Sequence, residues 1–248
     1  MLVNKLRGVM YLVIVMAIGV IGANAATFTA AASGDWGSAA TWTLNSGTDA
    51  DGIPDADDTA SIPNTRIVTV SSAQSVQNLT VNAGGTLTIN AGVVLTLSGA
   101  APSSNFTNGG TTNGAGIFRT QGTSSIAING SSFTAALEIG GTTNALSSTI
   151  GGSVTILNAA TLQTTNQIVT VNGDLIVNNG GLINSSSNNG TFTANGANVV
   201  NNGSITGISF RFGGTTNLSG AGIFTGNIQI LNTAVTTLTS NVTFGNGV

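Results

Sequence analysis

The densest run of chemically capable side chains is Asp49-Ala50-Asp51-Gly52-Ile53-Pro54-Asp55-Ala56-Asp57-Asp58. Carboxylates at alternate positions around a glycine offer hard oxygen ligands at i, i+2 and beyond, with the glycine permitting the sharp turn that Ca²⁺ coordination demands. Asp49, Asp51, Asp55, Asp57 and Asp58 are therefore the candidate metal ligands, with Ca²⁺ the ion they suit. A solvated acidic loop accounts for the same residues, and both readings stay open. Beyond residue 58 only two acids follow, Glu138 and Asp174, and the chain contains no histidine. Acid–base work on a glycosidic bond requires paired carboxylates a few ångströms apart. Arg66, Arg119 and Arg211 have no acidic neighbour in sequence. The residues thus predict no catalytic group and no organic cofactor.

What would position such a loop is legible in the repeats. Gly140-Gly141-Thr142-Thr143-Asn144 returns as Gly213-Gly214-Thr215-Thr216-Asn217, and Ile156-Leu157-Asn158 returns as Ile230-Leu231-Asn232. Between the two phrases the spacing of the copies slips by a single position and their order is kept. Internal repeats built from short apolar runs imply stacked units. From Arg66 onward Leu79-Thr80-Val81, Leu87-Thr88-Ile89 and Leu95-Thr96-Leu97 recur at every eighth position. Strand side chains alternate, so each triplet points two aliphatic residues inward and its threonine outward. Asn82-Ala83-Gly84-Gly85 and Asn90-Ala91-Gly92 between them carry turn chemistry.

Three strands with their three bends, at that spacing, give a 24-residue coil, and three such coils nearly match the repeat. Whole coils should return each face to the same side. By the same pitch Glu138 and Asp174 stand one and a half coils apart and should fall on different faces. A third Gly-Gly-Thr-Thr-Asn begins at Gly109, at a separation from Gly140 that is no whole number of such coils. The fold class expected is all-β, a right-handed parallel β-helix (β-solenoid) with an N-terminal capping segment. Its divisions are an export signal at 1–25, a cap with the acidic loop at 26–63, and about eight solenoid coils at 64–248.

The cap segment holds both tryptophans, Trp36 and Trp42. Large aromatics can bury the open apolar end of a solenoid; a platform for stacking sugars is the other use open to them. Gly34, Trp36, Thr41, Trp42, Pro54, Asp57, Asp58, Ile62 and Pro63 form a head followed by solenoid coils. This head resembles that of large surface and secreted proteins of Bacteroidota and related bacteria. The resemblance implies an extracellular, adhesin-like protein. Leu218 to Phe224 and Val171 to Val177 resemble repeats of bacterial surface β-helices. Asp-x-Asp-Gly-Ile-Pro-Asp at Asp49 is similar to the calcium repeats of thrombospondin type 3 modules, in a single copy and without their Asn-Cys-Pro.

The first residues read as an export signal. Lys5 and Arg7 precede an apolar run from Val9 to Ile21, and Ala23-Asn24-Ala25 is a small-x-small cleavage site before Ala26. The run is short for a membrane span, so a cleaved leader is preferred to an anchor, and a secreted or outer-surface address follows. Cleavage leaves three arginines against eight acids, a net charge of −5. That balance disfavours nucleic acid, whose phosphates require a basic patch. No cysteine is present to form disulfide staples.

Apolar residues at 41% and charged residues at 5% exclude a disordered chain and fit uncharged turns between aliphatic strands. Outward threonines ordering water would need Thr-x-Thr in successive coils, whereas these triplets centre one threonine. Asparagines stacked in turns read better as ladders that satisfy polar groups. The chain stops at Val248 inside the second repeat without a visible cap, so an N-terminal fragment of a longer protein, prone to associate end to end, is expected. Two functions fit: a non-catalytic surface adhesin or stalk with cell-surface glycans or proteins as partners, or the scaffold of a carbohydrate-active, polysaccharide-processing enzyme whose catalytic part lies beyond the fragment.

Overall fold

Alternation decides the architecture. In the strands Asn78–Val81, Thr86–Ile89 and Val94–Leu97 the second and fourth residues are buried and the first and third are not. Leu79, Val81, Leu87, Ile89, Leu95 and Leu97 therefore all point inward, at most 1% exposed. The computed structural model describes residues 24–99, 104–129, 132–185, 187, 189–231, 234–240 and 242–245. All but the last two residues of the expected export signal lie outside them.

From Thr59 onward consecutive strands do not pair with each other; each pairs in parallel with strands a coil away. Leu79 lies between Ala60 and Phe106, Leu87 between Val68 and Thr112, and Leu95 between Gln74 and Phe118. The chain is thus an all-β parallel solenoid with three faces around one apolar axis. Burial of one row of side chains along the stacked coils supplies the stability that absent disulfides cannot.

The third face is a nine-stranded sheet, so nine coils stand where eight were expected. The coil length varies instead of holding at one value. In the coil carrying the three regular triplets, Asn78 and its stacked neighbour Asn105 stand 27 positions apart. On the third face the step from Asp174 to Asn198 is 24, but those from Arg119 to Glu138 and from Asn198 to Asn217 are 19. The step from Leu137 to Val154 is shorter still. Strands keep their phase and corners absorb the difference in length.

This corrects the reading of the long repeat as whole coils. Thr143, in the first Gly-Gly-Thr-Thr-Asn of the repeat pair, stacks on Ser124 and Leu162 of face one. Its counterpart Thr216 opens the strand Thr216–Ser219, which stacks on Asn198–Asn201 of face three. The unexplained early copy falls on face two, where Thr112 lies on Leu87. The motif is a corner followed by a strand, and three equivalent corners accept it. In every copy the second threonine is fully buried. A Cβ on the second glycine would collide with backbone carbonyls of the coil below: Asn82 and Gly85 for Gly110, Gly122 for Gly141, and Asn195 for Gly214. Only glycine lets the coils close at that corner.

Late in the chain two faces merge. Ser204–Phe212 runs without a break, its first part on face one and its second on face two, with Gly207 at φ 62° between them. Aromatic rings fill the axis in three places. Phe28, Trp36 and Trp42 pack together at the N-terminal end. Phe106, Phe118 and Phe133 meet from three different faces with centroids 4.4 to 6.1 Å apart. Phe210 touches Phe192, Phe212 and Phe224 further along.

Candidate metal centre

The acidic loop hangs between two elements of face one. Trp42–Thr48 runs antiparallel to Asn24–Ala30 at the sheet edge, and Thr59–Ile62 lies parallel to Asn24–Ala30 on its other side. Residues 49 to 58 must reverse direction between them. Most of the alternating carboxylates do this locally. Asp49 Oδ1 accepts from the amides of Asp51 at 3.1 Å and Gly52 at 2.5 Å, Asp51 Oδ1 from Ile53 at 2.9 Å, and Asp55 Oδ1 from Asp57 at 3.3 Å. An aspartate holding the amide two residues on is an Asx turn, and a row of them produces the i, i+2 spacing. Gly52 takes φ 75° at the reversal.

The loop also folds three carboxylates together. One oxygen each of Asp49, Asp55 and Asp58 lies within 4.8 Å of the others. Asp51 and Asp57 are not in that group. Asp58 is the inner member, 2% exposed. Its Oδ1 accepts from the backbone amide of Ala26 at 2.6 Å and its Oδ2 from that of Asp55 at 2.9 Å. Its own carbonyl accepts from the amides of Gln77 and Asn78 in the next coil. Ala26 enters this site through its main chain from far outside the loop, and no side-chain pattern could have signalled it.

Crowding shows in the protonation equilibria. Burial pushes the Asp58 carboxyl above its usual range, against the opposing pull of the Asp55 and Ala26 amides. Asp55 is raised as well, first by its side-chain hydrogen bond with Asp57 and then by burial. Each carboxylate is held in a place where its negative charge is poorly compensated, and a cation would relieve it. Asp49, Asp55 and Asp58 offer oxygens of the hard kind that Ca²⁺ accepts.

The tryptophans belong to the core. Trp36 is fully buried and Trp42 is 6% exposed. Trp36 Nε1 donates to the Pro54 carbonyl at 3.1 Å, and Trp42 Nε1 to the Trp36 carbonyl at 2.8 Å. A sugar-stacking platform is ruled out, because neither ring offers a face to solvent. They plug the solenoid end and brace the loop from beneath, since Pro54 sits inside it.

The remaining charges are dispersed. Contrary to the 24-residue pitch, Glu138 and Asp174 share face three: Glu138 stacks on Thr155 and Thr155 on Ile176, two residues past Asp174. Two coils at ~4.8 Å per strand separate them. Glu138 Oε2 receives Arg119 from the coil below at 2.6 to 2.7 Å, a partner hidden from sequence because it lies one coil away. Asp174 accepts from the amide and the side chain of Asn198, each at 3.0 Å. Arg211 Nε donates to Gln229 Oε1 at 2.9 Å. A shallow groove of about 410 Å³ opens at the corner of faces one and two, floored by Ser147, Ser148 and Thr149 and walled by Asn129 and Ile168. No protein-family model matches this chain, and no curated protein or solved structure matches it either.

Proposed function

We propose that this chain is a non-catalytic extracellular β-solenoid acting as a surface adhesin or structural stalk. The observation that carries this reading is the outer surface of the coils. Thr29, Ser61, Thr80 and Thr107 form one outward column on face one, and Thr149, Thr170 and Thr193 another on face two. Such a surface is uncharged, rich in hydroxyls and regular at one coil per step, and it suits many weak contacts better than one reactive centre. The groove at Ser147 and Ile168 combines hydroxyls with an aliphatic wall, a chemistry that glycans accept. An N-terminal export signal and the resemblance of the head to Bacteroidota surface proteins support an extracellular address.

The acidic loop enters the proposal as a Ca²⁺ site in which Asp49, Asp55 and Asp58 supply the converging oxygens, with Asp51 and Asp57 as outer carboxylates. Bound calcium would brace the end of the rod rather than react.

The test pairs location with binding. Intact producing cells are treated with protease and probed with an antibody to residues 64–245, and the purified mature chain is screened against glycans and extracellular proteins. Loss of the antibody signal from intact cells together with saturable binding is expected. Release of reducing sugar from a polysaccharide by a longer product of the same gene, with none from residues 26–248, would instead support the enzyme-scaffold reading.

A further inference from the structure

Export and fold meet at one atom, the nitrogen of Ala26. Ala23-Asn24-Ala25 marks the expected cut before Ala26, and that nitrogen is the one that donates to buried Asp58 at 2.6 Å. Ladder pairing with Trp42–Thr48 breaks between Asn24 and Thr27, so the Ala26 N–H leaves the strand register and turns to the carboxylate. We propose that removal of the export signal converts this bond into a buried ion pair, in which the α-ammonium of Ala26 becomes the internal cation of Asp58 and ties the first coil to the acidic loop. The proposal rests on reading residues 1–25 as a cleaved signal.

The chemistry is simple hydrolysis. Water adds across the Ala25–Ala26 peptide bond, the C–N bond breaks, and Ala25 leaves as a carboxylate while its proton passes to the new amine. An α-amino group with an ordinary pKa near ~8 is charged at neutral pH. A neutral amide donating one hydrogen bond becomes a cation with three N–H donors. Charge-assisted bonds are about twice as strong as neutral ones. Loss of Ala25 also clears space, because its carbonyl leaves with it.

Order of events follows from packing. Ala26 is 1% exposed. Gly47, at φ 87°, brings its backbone so close that a Cβ there would meet the Ala25 oxygen at 2.7 Å and the Ala26 Cα at 2.8 Å. Ala25 is exposed, but the strand is paired on both edges, with Trp42–Thr48 and Thr59–Ile62, so a protease that binds an unpaired extended segment must wait for it to open. Cleavage therefore precedes closure of the cap, and closure is strongest in the cleaved chain.

The test compares three polypeptides ending at Val248: one beginning with a free Ala26 amine, the same chain Nα-acetylated, and one beginning at Asn24. Melting is followed in EDTA, so that no divalent ion contributes. The free-amine chain should melt higher than both others by about 3–6 °C, and Asp58→Asn should remove most of that difference. The acetylated chain keeps every side chain, so it stays informative even where Asp58→Asn fails to fold. Equal melting temperatures for the free and acetylated chains would overturn the ion pair. N-terminal sequencing of the exported protein checks the underlying reading separately: Ala26 as first residue supports it, and any other first residue overturns it whatever the melting shows.

Discussion

Thr143 and Thr216 hold the same place in the same five-residue phrase and are both fully buried, yet they enter the core from different faces. Between them the chain climbs through Leu162, Ile183 and Ile205 on face one, then turns two more corners to face three. The copies are separated by three coils and two thirds of another. Thr112 and Thr143 are likewise separated by one coil and two thirds. The unit that repeats is the side of the triangle.

If the corner is the unit, its second glycine should matter equally wherever it stands. Gly110→Ala, Gly141→Ala and Gly214→Ala each force a methyl into a carbonyl of the coil below. Each should lower stability by about 1–3 kcal/mol, the scale of overpacking a closed site, with all three in the same range by chemical denaturation. A neutral result at Gly141 beside a large loss at Gly214 would show the corners to be unlike.

Phe210 is the hub of the late aromatic cluster, stacked on Phe192 with centroids 5.6 Å apart and planes 8° off parallel. Phe210→Ala should cost about 3–5 kcal/mol and should lower melting more than Ile168→Ala. Ile168 is 60% exposed and supplies the comparison. Similar losses at the two sites would argue that the axis there is not close-packed.

Millimolar Ca²⁺ should raise the melting temperature of the mature chain, since a ligand that binds only the folded state stabilises it by mass action. Asp51→Asn combined with Asp55→Asn should abolish the rise. Melting that ignores calcium in the parent chain leaves residues 49 to 58 as a row of Asx turns and nothing more.

Acid should favour a chain that still carries Asn24 and Ala25. Asp55 and Asp58 are both raised from the usual 3.8. A raised carboxyl pKa contributes stability that is complete below the unfolded value and is lost as pH climbs through the folded one. In EDTA this chain should therefore melt higher at pH 4 than at pH 7, and Asp58→Asn should reduce the slope. A flat profile across that window would mean that neither carboxyl is held at a disadvantage.

The last coil predicts association. Ile230, Val235, Leu238 and Phe244 are 58%, 58%, 57% and 42% exposed, and Thr236–Leu238 is the terminal strand of its sheet. Open parallel edges with apolar side chains recruit further strands. Sedimentation of residues 26–248 should show concentration-dependent growth that Leu238→Asp with Phe244→Ser reduces. A monomer at every concentration would remove end-to-end contact from consideration.

Much of the fold was legible because period-2 alternation is written directly into side-chain type: Leu79 to Leu97 could be assigned inward from the triplets alone. Coil length was not, because the even spacing of Leu79, Leu87 and Leu95 covers two sides of a single coil and is already lost by Phe106, the residue that stacks on Leu79. Extending that spacing to Phe133 and Leu137, which follow each other closely on adjacent faces, fails. Among the acids, sequence singled out the loop but could not say which of its carboxylates converge. Asp51 and Asp57 differ from Asp49, Asp55 and Asp58 only in where the main chain folds back. Arg119 and Glu138 look unpaired in the sequence because neighbours in a solenoid stand a whole coil apart, outside any local window.

A chain that reuses a side and not a coil has an unusual freedom in how it can lengthen. Recombination between the codons for Gly109 and those for Gly140 would add or delete the stretch between them and still join one legitimate corner to another. Everything downstream would turn about the axis by a third of a revolution, with its core intact and its outward pattern moved to a new side. Surface motifs inherited through such events spiral around the rod, so a partner that recognises one of them would meet its copies along a helical path instead of down a single flank.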